Sequence, residues 1–205
     1  MIRVLLAEDQ SLVRGALAAL LGLEPDIQIV AEAARGDEVV PRAIESRPDV
    51  ALLDIEMPGL DGLTATAQLR TALPSCRVVI VTTFGRPGYL RRAMDAGASG
   101  FLLKDTPASK LADAIRRTAA GARVVDPALA VAALSEGPNP LSDREREVLA
   151  TSAFLPTIAD IAERLSLSEG TVRNHLSAAI QKLGAVNRAE AGRLAEEKGW
   201  LEPPR

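Results

Sequence analysis

Short apolar runs alternate with helix-period segments over the first 120 residues. The runs are Ile2–Ala7, Gln28–Ala33, Val50–Asp54, Arg77–Thr82 and Gly100–Lys104. The helical segments that follow them are Ser11–Leu23, Asp37–Ser46, Asp61–Ala72, Pro87–Ala96 and Pro107–Ala120. Several runs, such as Val50-Ala51-Leu52-Leu53 and Val78-Val79-Ile80-Val81, are apolar at every position instead of every second one. That is the pattern of strands covered on both faces. Five strand-helix units therefore predict an α/β domain, a five-stranded parallel sheet with helices on both faces.

The rhythm breaks at residues 121–140, GARVVDPALAVAALSEGPNP, where one short helix over Asp126–Leu134 is followed by a Gly/Pro-rich stretch. The segment is read as a linker between a domain at 1–120 and a second at 141–205. Beyond it the pattern is helical throughout, over Ser142–Ala153, Thr157–Leu165, Ser168–Leu183 and Asn187–Lys198. The second domain is thus small, all-α and four-helical. Leu165-Ser166-Leu167-Ser168 is a tight connection in which Ser168 suits an N-cap, since its hydroxyl can accept from a free amide of the first turn. Two helices joined in this way predict a helix-turn-helix.

Composition narrows the class. Of 205 residues 47% are hydrophobic and only 2% aromatic, so the core must be aliphatic. The apolar stretch Val4–Ala7 stops at Glu8, too short for a signal peptide or a membrane span; a cytoplasmic protein without direct membrane insertion is expected. The lone Cys76 has no disulfide partner and reads as a small buried hydrophobe. A net charge of -3 leaves no global basic footprint for nucleic acid.

The candidate chemistry lies at the carboxyl ends of the predicted strands, where open α/β sheets collect ligands. The first strand ends in Ala7-Glu8-Asp9, the third in Leu53-Asp54, the fourth in Val81-Thr82 and the fifth in Leu103-Lys104. Each residue alone is ordinary, for an Asp at a strand end commonly forms a turn or caps a helix. Together they place three carboxylates, a hydroxyl and an ammonium on one rim. Crowded carboxylates repel unless a cation joins them, and Mg²⁺ with phosphate oxygens suits such a donor set. A dinucleotide site is set aside, because the first turn reads AEDQSLVRG and lacks the glycine fingerprint.

These motifs resemble the receiver domain of two-component response regulators, a flavodoxin-like fold, over residues 1 to about 120. The resemblance implies that Asp54 is the phosphoacceptor, and that Glu8 and Asp9 hold Mg²⁺ together with Asp54 and the backbone carbonyl of Glu56. It implies that Thr82 and Lys104 bind the phosphoryl group and that Thr82 and Phe101 act as switch residues. The charge written at Asp54 would then reposition the turn Thr83-Phe84-Gly85-Arg86-Pro87. Asp105 is a departure, since it follows Lys104 where many receivers have proline.

On a helical wheel of 168–183, Val172, Leu176, Ala179, Ile180 and Leu183 share one side, with Asn174, Ser177 and Gln181 opposite and Arg173 and His175 flanking. Such a set suits a DNA major groove, and equally a solvated helix face. Residues 138–205 carry nine Lys/Arg and ten Asp/Glu, yet Arg173, Lys182 and Arg188 face no acid in sequence, which predicts a local positive end.

LSDREREVL, DIAERL, LSEGTVRNHL and KLGAVNR resemble the four-helix LuxR/NarL-type helix-turn-helix (FixJ-like). The resemblance implies double-stranded promoter DNA as partner, with Thr171, Arg173, Asn174 and Ser177 at or near bases and His175 and Lys182 at the backbone. Phe154-Leu155-Pro156-Thr157 departs from the family's usual turn. Within the family, AEDQ, DIEMPG, TTFGRPGY and LLKDTP resemble the DesR-like branch.

The whole reads as a transcriptional response regulator and not an enzyme beyond its own phosphoryl transfer and slow autodephosphorylation. A sensor histidine kinase would phosphorylate Asp54, promoting homodimerisation and promoter binding. Two alternatives remain at this level. One is a Mg²⁺-dependent aspartyl-phosphate phosphohydrolase, which would turn over exogenous phosphomonoesters. The other is a DNA-binding regulator indifferent to phosphorylation.

Overall fold

The computed structural model describes residues 1–83, 85, 87–135 and 139–201. Phe84 and Arg86 of the predicted switch turn, and Glu136, Gly137 and Pro138 of the predicted linker, lie outside the described residues, as do residues 202–205. The chain forms two compact units, one of Met1–Gly85 with Leu90–Ala132 and another of residues 86–89 with Ala133 onward, so that the first residues of the fourth helix below are grouped with the second unit.

The first unit alternates strands and helices: β1 (Ile2–Ala7), α1 (Ser11–Gly22), β2 (Ile27–Ala33), α2 (Val39–Ser46), β3 (Val50–Leu53), α3 (Gly62–Ala72), β4 (Arg77–Thr82), α4 (Pro87–Asp95), β5 (Gly100–Leu103) and α5 (Ala108–Ala119). A 3-10 turn at Gly36–Glu38 leads into α2. All pairings are parallel, in the order β2-β1-β3-β4-β5 with a further strand, Val124–Val125, beside β5.

The sheet therefore has six strands, not the five read from the sequence. The sixth, β6 (Val124–Val125), lies in the segment read as linker. Its two residues are too short a run to show a strand pattern. They join because Gly121, with φ +92°, turns the chain back after α5, and Val124 N–H then donates to Ser99 O at 3.0 Å. The short helix predicted nearby follows as α6 (Pro127–Ser135).

The uninterrupted apolar runs are explained by two faces of packing. Val4, Leu6, Val50, Leu52, Val79, Val81 and Leu102 pack with Leu21 of α1 and Leu111 and Ile115 of α5 in one cluster. The intervening residues Leu5, Ala51, Leu53, Val78, Ile80 and Phe101 are equally buried and face the opposite way. A strand buried on one side only would have to alternate with polar residues.

The second unit is a bundle of α7 (Asp143–Thr151), α8 (Ile158–Leu165), α9 (Glu169–Leu183) and α10 (Arg188–Glu197). Every one of these helices begins on a side-chain cap: Ser142, Thr157, Ser168 and Asn187 accept from Glu145 N, Asp160 N, Thr171 N and Glu190 N respectively. Each such cap is worth about 1 kcal/mol. The α8–α9 turn is closed by Ser166 in the left-handed region, φ 53°, with Leu167 N–H donating back to Ala162 O at 2.8 Å. Val172, Leu176 and Ala179 of α9 are buried in the common core with Val148, Leu149, Ile161 and Ala191, and α9 touches the other three helices.

Candidate functional site

The parallel order sets β1, β3, β4 and β5 side by side, with Ala7 opposite Leu53, Leu53 opposite Ile80, and Thr82 opposite Leu103. The residue ending or following each strand thus falls on one rim. Glu8, Asp54 and Thr82 are buried there, at 1%, 5% and 0% exposure, while Asp9 is exposed. One carboxylate oxygen from each of Glu8, Asp9 and Asp54 lies within 4.8 Å of the others.

Lys104 closes the group. Its Nζ lies 2.7 Å from Glu8 Oε2 and 2.9 Å from Asp54 Oδ2. Asp54 Oδ1 accepts from Ile55 N–H at 2.7 Å, Glu8 Oε1 accepts from Gln10 N–H at 3.2 Å, and Arg14 holds the Glu8 carbonyl at 2.6 Å. Burial pushes the Asp54 carboxyl above the ordinary carboxylate range despite its hydrogen bond to Lys104, and burial does the same to Glu8. Burial alone would lower the Lys104 ammonium, but its hydrogen bonds to Glu8 and Asp54 outweigh it and hold the lysine above its ordinary value.

Three carboxylates against one ammonium leave the cluster short of positive charge. Hard oxygen donors in excess of their counter-charge suit a divalent cation such as Mg²⁺, so the residues present fit that ion. Glu56 has an exposed side chain, consistent with a reading in which only its backbone would serve.

Two glycines that the sequence reading passed over fix the loop after Asp54. A Cβ on Gly62 would lie 1.8 Å from the Asp54 carbonyl oxygen, and Gly62 N–H donates to Ile55 O at 2.8 Å. A Cβ on Gly36 would lie 1.8 Å from Leu60 O, and Gly36 N–H donates to Pro58 O at 3.1 Å. The available signal was the spacing of Gly59 and Gly62 just beyond Asp54, which marks close backbone approach. Phe101 is wholly buried in β5. At the departure after Lys104, Thr106 N–H donates to Leu103 O at 3.0 Å, a turn with Lys104 and Asp105 at its centre.

On α9, Arg173, Asn174 and Ser177 are exposed, while Thr171 and His175 are half-buried. The reading that Arg173 and Lys182 face no acid is corrected by the fold. Arg173 pairs with Glu169 at 2.6 Å, one turn back on its own helix. Lys182 pairs with Glu145 of α7 at 2.7 Å, a contact between residues 37 apart in sequence that only packing creates. Arg188 donates to Pro156 O at 2.6 Å. At the departure before α8, Pro156 leaves the cap intact, for Thr157 and Asp160 form a full capping box.

Among the described residues no helix is long and apolar enough to cross a membrane. Residues 4–116 match the model of the response regulator receiver domain, and residues 139–195 match that of the bacterial regulatory proteins of the luxR family. The transcriptional regulatory protein YvfU of Bacillus subtilis (strain 168), described as uncharacterized, is 47% identical over 98% of this chain and 100% of its own length. The transcriptional regulatory protein DesR of the same organism is 45% identical, again over 98% and 100%. These two identities do not separate a DesR-like branch from its neighbour. The crystal structure of the response regulator ChrA, from a heme-sensing two-component system, matches with a TM-score of 0.58 at 36% identity, covering 98% of each chain. Receiver and LuxR-type domains, joined in one chain over the full length of such relatives, make this protein a member of the LuxR-family transcriptional response regulators.

Proposed function

We propose that the protein is a cytoplasmic transcription factor switched by phosphorylation of Asp54, with a sensor histidine kinase as donor and promoter DNA as target. The observation that carries the reading is the Glu8–Lys104–Asp54 group, two buried carboxylates bridged by one ammonium at the rim of four adjacent strands.

Glu8, Asp9, Asp54 and the Glu56 carbonyl would hold Mg²⁺, which when bound neutralises phosphoryl oxygens. A carboxylate oxygen of Asp54 attacks the phosphorus of a phosphohistidine. The new O–P bond forms as the P–N bond breaks, and its electron pair returns to the imidazole nitrogen. Lys104 then exchanges its contact with Asp54 for a phosphoryl oxygen, and Thr82 donates its hydroxyl to another. The added charge, about -2 where Asp54 carried -1, draws both residues inward and biases the loops after β4 and β5, with Phe101 repacking. That shift favours a homodimer, which matches two half-sites on DNA. On α9, Arg173, Asn174, Ser177 and Thr171 face the bases and His175 the backbone, in keeping with Arg reading guanine and Asn adenine. The DNA partner is further supported by a relative, the DNA-binding transcriptional activator DevR/DosR of Mycobacterium tuberculosis, 34% identical over all of this chain.

The test is enrichment of genomic fragments by protein treated with acetyl phosphate and Mg²⁺, against the Asp54→Ala variant. Phosphorylation-dependent enrichment of a common sequence is expected. Equal enrichment by both proteins would remove the switch and leave a constitutive regulator. Turnover of phosphomonoesters, in place of stoichiometric labelling, would replace the regulator with a hydrolase.

A further inference from the structure

Lys182 stands at the last turn of α9, where a lysine on a DNA-reading helix would ordinarily be assigned to a phosphate. Its ammonium is already engaged: Nζ lies 2.7 Å from Oε2 of Glu145, whose residue is 6% exposed. The same Oε2 accepts from Ser142 N–H at 2.7 Å, while Ser142 Oγ accepts from Glu145 N–H, so the carboxylate belongs to the capping box that opens α7. Withdrawing Lys182 to reach a phosphate would leave a buried carboxylate held by Ser142 alone, with no cation beside it, which is unfavourable for an ionised group. The chain enters this domain through the same joint. Asn139 holds Leu141 N–H at 2.9 Å and donates to Trp200 O at 3.2 Å, just before Ser142.

We infer that Lys182 is a positioning residue which fixes the C-terminal end of α9 to the N-terminus of α7 through Glu145, and that it makes no DNA phosphate contact. The inference rests on the assignment of α9 to DNA reading. It makes the capping box a second anchor of that helix, beside the apolar seam of Val172, Leu176 and Ala179, and it sets the angle at which Arg173 and Asn174 meet a groove.

The experiment uses the full chain and the DNA fragment that the unaltered protein enriches from a random-sequence duplex pool, with a scrambled fragment as control. Binding is measured over a range of salt, below each variant's melting midpoint. Lys182→Gln is expected to lose roughly tenfold in preference for the enriched over the scrambled fragment, with the slope of log affinity against log salt unchanged. The double variant Glu145→Gln/Lys182→Gln, which can restore a neutral hydrogen bond, is expected to recover most of that preference. A slope shallower by about 0.9 in Lys182→Gln, unrescued by the second change, is the signature of a lost phosphate contact and overturns the inference. A fall in melting midpoint with unchanged preference reduces the pair to a structural role and overturns it as well. Should Lys182→Gln not fold, the double variant still decides by its slope and preference. If the unaltered protein enriches no sequence, the DNA reading itself fails and takes this inference with it.

Discussion

The carbonyl oxygen of Asp54 and the α-carbon of Gly62 approach so closely that a Cβ on residue 62 would lie 1.8 Å from that oxygen. No side-chain rotation relieves such a clash, because both partners are backbone. Gly62→Ala must therefore move either the Asp54 peptide or the start of α3. The expected outcome is a destabilisation of about 1–3 kcal/mol in thermal or urea unfolding. Labelling of Asp54 by acetyl phosphate should fall by roughly a hundredfold, the scale of a displacement of about 1 Å at a reacting centre. Labelling at the unaltered rate would show that the loop yields without moving Asp54.

Lys104 bridges Glu8 and Asp54 within the rim, its Nζ 2.7 Å from one carboxylate and 2.9 Å from the other. In Lys104→Met the two carboxylates face each other without it, so Mg²⁺ should take over the role. Added Mg²⁺ is expected to raise the melting midpoint of this variant by more than it raises that of the unaltered protein. Equal shifts would mean that Lys104 does not compete for the same charge.

Glu145 gives the second unit an acid limit. Burial works to raise its carboxyl, but the hydrogen bonds from Lys182 and Ser142 outweigh burial and hold it below the ordinary glutamate value of 4.5. A carboxyl depressed in the folded state contributes stability that is fully present above its unfolded value and is lost as pH falls through the folded one. Unfolding followed from pH 7 downward should show this loss below about pH 4.5, and Glu145→Gln should flatten that part of the profile. An unchanged profile in Glu145→Gln would assign the acid limit to other groups.

Arg173 and Glu169 form an exposed i,i+4 pair on α9, with side chains 61% and 50% accessible. Such pairs add little stability, so Arg173→Ala should change unfolding by less than about 1 kcal/mol. Its affinity for the enriched DNA fragment should nonetheless fall by about 1–3 kcal/mol if the guanidinium reads a base. Glu169→Gln should tighten binding, because it frees Arg173 and removes a negative charge facing phosphate. A weaker complex in Glu169→Gln would place Glu169 itself among the contacts.

Local pattern alone dictated the alternation of β1 through α5 in the amino-acid sequence, since strands covered on both faces must be apolar at every position and announce themselves. It determined the four helices of the second unit as well, because Ser142, Thr157, Ser168 and Asn187 are caps whose function is local. The rim of Glu8, Asp54, Thr82 and Lys104 was legible because a parallel sheet brings all strand ends to one side. Tertiary structure decided what depends on contacts between distant residues. β6 exists only because β5 offers an open edge to a two-residue run. The spacing of Gly59 and Gly62 hints at a close backbone approach, but only packing shows that the partner is the carbonyl of Asp54. Lys182 looked free along the chain, and folding set it on Glu145, because charge partners are chosen by distance in space and not by distance in sequence.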